Sequence, residues 1–104
     1  MKIKLAPPFL TVEMVAELKN DKALITASPI EQMAKFGDEE RQVYRIAIEL
    51  ADGNKKAIWT PNDRSLNNLA AKWGIEGDDW VGKTIKLEVG KSSRGQKMII
   101  VNPV

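Results

Sequence analysis

One stretch constrains the fold more than any other: Gln42–Leu50 (QVYRIAIEL), then Asp52-Gly53, then Lys55–Thr60 (KKAIWT). Tyr44, Ile46, Ile48 and Leu50 alternate with Val43, Arg45, Ala47 and Glu49. That period of two belongs to a strand with one face on a core. Asp-Gly tolerates the positive φ of a tight hairpin turn, so the next residues return as an antiparallel partner. With Ile58 inward on that return strand, Lys55, Ala57 and Trp59 point outward.

The remaining elements are placed around this hairpin. Met1–Phe9 reads as an arm, because Pro7-Pro8 favours extended backbone and prevents helix. Thr11–Leu18 reads as a short turn or helix, with Thr11 able to cap it. Ala23–Met33 is a first strand in which Pro29 implies an edge or a bulge. Phe36–Arg41 (FGDEER) is polar and contains glycine, so a loop is expected there.

After the hairpin, Thr60 fits a helix N-cap and Pro61 the first helical position. Leu66, Leu69, Ala70 and Trp73 then form one apolar face, and Gly74 ends the helix. Lys83–Gly90 alternates again, Ser92–Gly95 turns, and Gln96–Val101 closes as a last strand.

The predicted order is three strands, a helix and two strands. This is the chain order of a mainly β, five-stranded OB-like barrel with one helix between strands three and four. The expected organisation is an arm over 1–9 and a single OB-like domain over 10–104.

Composition narrows function. The 104 residues contain neither cysteine nor histidine. Disulfides, thiolate metal sites and the usual neutral-pH general base are therefore missing from the repertoire. Asp38-Glu39-Glu40 and Asp78-Asp79 lack spaced partners for a hard cation, and consecutive acids in loops are ordinarily solvated. A binding protein without catalytic residues, metal or cofactor is expected. No apolar run approaches the roughly 20 residues of a membrane helix, and the N-terminus makes a poor secretory signal. A soluble, cytoplasmic chain follows as an expectation. Net charge is only +2, from 16 Lys plus Arg against 14 Asp plus Glu, so charge placement must carry any electrostatic argument.

Two segments also carry a likeness. Asn62-Asp63-Arg64-Ser65-Leu66, and Asp78-Asp79-Trp80-Val81-Gly82-Lys83 opening the fourth strand, resemble small OB-like proteins of phage and microbial genomes. The specific match runs from Ile58 to Leu87. The resemblance implies an OB fold and, by analogy with OB domains of phage replication modules, single-stranded DNA handling in replication or recombination.

OB domains present ligands on the outer face of strands two and three, flanked by the first-to-second and fourth-to-fifth strand loops. On the predicted register Arg41, Arg45 and Lys55 lie on that face with Trp59. Lys91, Arg94 and Lys97 rim it from the fourth-to-fifth strand loop. Cations beside an aromatic ring on which bases stack suit sequence-tolerant single-strand binding. The expected contacts are Arg41, Arg45, Lys55, Lys91, Arg94 and Lys97 to phosphates, with Trp59 and Tyr44 stacking. Trp73, on the helix face, and Trp80, at a strand entrance, are expected to be structural. The mixed charge of the groove, Glu49 included, also suits a protein partner on the same fold. Monomer and dimer both remain open.

Overall fold

The computed structural model describes residues 7–104, the side chain of Phe36 excepted. The predicted arm therefore lies largely outside the described residues. Among the described residues there are six strands and two short α-helices: α1 (Val12–Ala16), β1 (Lys22–Ile25), β2 (Ile30–Phe36), β3 (Glu39–Leu50), β4 (Lys56–Trp59), α2 (Asp63–Trp73), β5 (Thr84–Lys91) and β6 (Lys97–Pro103). A single 3₁₀ turn, Gly77–Trp80, leads from α2 towards β5.

β3 organises the sheet. β1 and β2 follow one another along one of its edges, with Ile25 opposite Ile48 and Ile30 opposite Arg45. The four residues Thr26–Pro29 thus face only Ile46 and Ala47, and the predicted first strand is broken where Pro29 withholds a donor. β4 pairs with β3 through Ile46–Trp59 and Ile48–Ala57. β1 also pairs with β5, and β5 with β6, all antiparallel. Pairing therefore runs β4–β3–β1–β5–β6, with β2 extending β3. The result is an open six-stranded antiparallel sheet, not the closed five-stranded barrel expected from the sequence.

Two local readings change. Phe36–Arg41 is not a loop: Gly37 and Asp38 alone turn the chain, Gly37 at φ +64°, and strand continues on both sides. This ribbon has no core beneath it, so its residues carry no burial period to betray a strand. The cap of α2 is Asn62, whose side chain accepts from the Ser65 N–H at 2.9 Å; Thr60 and Pro61 precede the helix. α1 forms as expected, with Thr11 accepting from the Met14 N–H.

The core gathers Val15, Ala23, Ile25, Ile46, Ile48, Leu50, Ala57, Trp59, Leu69, Trp80, Ile85, Leu87 and Val101. Trp73 is partly buried and meets Trp80 edge-on at 6.1 Å, and Trp80 Nε1 donates to the Gly74 carbonyl at 3.1 Å. Both rings pack in or against the core.

α2 packs along β6. Asn62 Nδ2 donates to the Ile99 carbonyl at 2.9 Å and Asn68 Nδ2 to the Val101 carbonyl at 3.2 Å. The fully buried Ser65 Oγ accepts from the Val101 N–H at 3.0 Å. Side chains of one helix thus satisfy the edge of β6, so no ladder to β4 is needed there. Ser65→Ala strands the Val101 N–H away from water. Chemical denaturation should show a loss of about 1–3 kcal/mol; an unchanged midpoint would mean that water or a shifted strand replaces the hydroxyl.

Candidate nucleic-acid interface

The two faces of the sheet carry different residues. Ile46, Ile48 and Leu50 face the core, as their spacing predicts, so Arg41, Val43, Arg45, Ala47 and Glu49 share the outer face of β3. Residues paired across antiparallel strands point to the same side. Trp59 is opposite Ile46 and Ala57 opposite Ile48, so both face inward, and Trp59 is 1% exposed. The predicted register of β4 is off by one residue. Lys56, Ile58 and Thr60 take the outer positions assigned to Lys55, Ala57 and Trp59.

This shift removes Trp59 from any ligand surface. Lys55 lies in the turn beside Met14, Leu18, Leu50 and Asp52, at one end of the sheet. Tyr44 is on the core-side face of β3, where its hydroxyl donates to Glu31 Oε1 at 3.3 Å. It borders two clefts between the β2–β3 ribbon and α2, one of them also lined by Arg41.

Arg41 and Arg45 do share the outer face. Arg41 pairs with Glu39 at 3.2 Å, both side chains well exposed. Lys91 and Lys97 are opposite one another at the base of the β5–β6 hairpin, with Arg94 in its turn. β5 runs past Asp21 at Leu87, so that hairpin extends at the Leu50 end of β3. At about 3.3 Å per residue, Arg41 is roughly 30 Å from that end. The predicted cations therefore form two groups rather than one: Arg41 and Arg45 on the ribbon side, and Lys55, Lys91, Arg94 and Lys97 in or beside turns at the other end.

An aromatic ring on the outer face does exist, and it is one that sequence reasoning left in the arm. Pro8–Leu10 runs parallel to β4. The Ile58 N–H donates to the Pro8 carbonyl at 2.8 Å and the Leu10 N–H to the Ile58 carbonyl at 2.7 Å. This bridge puts Phe9 on the same side as Ile58, 58% exposed, with the Arg45 guanidinium 4.6 Å from its ring centroid. Arg45 is held there by Nε to Gln32 Oε1 at 3.2 Å and Nη1 to Thr60 Oγ at 2.8 Å. The extended backbone that Pro7-Pro8 imposes was the available signal, since an extended segment is free to add to a strand edge.

Among the described residues, no three acidic side chains gather as cation ligands, and no helix is long and apolar enough to cross a membrane. Compared with protein-family models, curated proteins and solved structures, the chain matches none.

Proposed function

We propose that this protein binds single-stranded DNA across the outer face of β3 and β4. The observation that carries this reading is the Arg45–Phe9 pair. A guanidinium fixed by two side-chain hydrogen bonds lies against an exposed ring, with Arg41 four residues along the same face and Lys56 on the neighbouring strand. A base stacks on the ring while phosphates follow the cations. The order β4–β3–β1–β5–β6, with a helix between β4 and β5, supports an OB-like arrangement opened between β4 and β6. The likeness of Asn62–Leu66 and Asp78–Lys83 to small phage OB-like proteins points the same way. In that frame the β2–β3 ribbon and the Lys91–Lys97 hairpin flank the bound strand from opposite ends.

Anisotropy of a labelled oligo-dT measures this directly. Three or four phosphate contacts predict a loss of affinity of about 20- to 50-fold between about 50 and 200 mM salt. Affinity independent of salt would remove the cationic face from the mechanism. A second reading, a protein-interaction module, is favoured by the cleft of about 500 Å³ between ribbon and α2. Tyr44, Leu66, Ala70 and the 88%-exposed Ile75 line it. Ile75→Asp should leave oligo-dT affinity unchanged if the outer face is the site; a loss there would relocate binding to the cleft.

A further inference from the structure

The edges of the sheet are not treated alike. α2 covers the edge of β6 and Pro8–Leu10 that of β4, whereas β2, among the described residues, is paired with β3 alone. β2 is seven residues long, and its Ile30 and Met33 are 57% and 64% exposed. An unpaired edge of this length is a template for another strand. Its sequence, Ile30-Glu31-Gln32-Met33-Ala34-Lys35, says which strand fits.

We propose that β2 is a homodimerisation edge, pairing antiparallel with β2 of a second copy about a two-fold axis at Met33. In that register Glu31 of each copy falls opposite Lys35 of the other, twice by symmetry, and Met33 meets itself. Moving the axis by one residue either way puts Glu31 opposite Met33, or Met33 opposite Lys35, and abolishes both charge pairs. Glu31, Met33 and Lys35 share the face that carries Tyr44, opposite the face of Arg41 and Arg45. The pairing therefore creates a four-stranded β3–β2–β2–β3 sheet and leaves the outer face uncovered. It stands on the edge itself and does not depend on the nucleic-acid reading.

Two measurements test it. The chain has no cysteine, so Met33→Cys introduces the only one. Residues directly opposite on antiparallel strands are about 4.5–5.5 Å apart at Cα, within disulfide range. Mild oxidation should give a covalent dimer far faster than for Lys97→Cys, on the remote hairpin. In sedimentation velocity the unaltered chain should dimerise. Glu31→Lys and Lys35→Glu, which each place like charges opposite, should weaken the dimer about tenfold or more. Mixing those two variants restores opposite charges at both sites and should restore a dimer, showing that neither variant has merely unfolded. A monomeric wild type, equal crosslinking of the Met33→Cys and Lys97→Cys variants, or a mixture no more dimeric than its components would overturn the proposal.

Discussion

Trp59→Ala should collapse the stability of this protein and not merely weaken a ligand. Trp59 is 1% exposed at the end of β4, beside Ile46 across the ladder and within the core cluster. Truncating a buried tryptophan removes its transfer free energy and leaves a cavity that neighbours fill only partly, about 3–5 kcal/mol in all. That is a large fraction of what a domain of this size has to lose. At about 4–8 °C per kcal/mol, the melting temperature should fall by about 15–30 °C, or the cooperative transition should vanish. A solvent-facing ring would change it by a few degrees at most, so a mild effect in a thermal melt contradicts the register of β4.

The second large effect is on binding. Phe9→Ala removes an outer-face ring that lies against Arg45, and base stacking on an aromatic contributes about 1–3 kcal/mol. Affinity for oligo-dT should fall about 10- to 100-fold while the melting temperature barely moves, because Phe9 is largely exposed. Arg45→Ala removes a cation and the group that holds the ring. It should cost about tenfold in affinity and also flatten the salt dependence. Lys55→Ala, whose residue sits in the turn beside Leu50 and Asp52, should do much less. Equal losses for Arg45→Ala and Lys55→Ala, with none for Phe9→Ala, would mean that charge alone, spread over the surface, drives association.

The hairpin of β3 and β4, the helix between β4 and β5, and the last two strands were legible because burial imposes a period on each. The phase of β4 was not. Ala57, Ile58 and Trp59 are all apolar, so either alternation satisfies a core, and the pairing with Ile46 and Ile48 decides which face is inward. One residue of slip moved Trp59 from a candidate ligand contact to the core, and replaced Lys55 by Lys56 on the outer face. The β2–β3 ribbon was hidden for the opposite reason: with nothing packed beneath, Gly37 to Arg41 shows charge and no period.

Closure was also beyond the sequence. Element order is common to a closed barrel and an open sheet. Whether β4 and β6 meet depends on Asn62, Ser65 and Asn68 taking up the backbone groups of β6. Of the candidate site, Arg41 and Arg45 were readable from their spacing on β3. Phe9 was not, because it joins the surface through a parallel bridge to β4, a non-local contact that local pattern does not encode.

The most direct test of the nucleic-acid surface is a fluorescence titration of Phe9→Trp with oligo-dT, set against the same titration of the unaltered protein. Trp59 and Trp80 are buried and Trp73 is partly buried against the core, so the native signal should change little. The account predicts strong, saturable, salt-sensitive quenching from the tryptophan introduced by Phe9→Trp. No quenching at that position, while anisotropy still reports binding, would place the nucleic acid elsewhere and contradict the outer-face assignment.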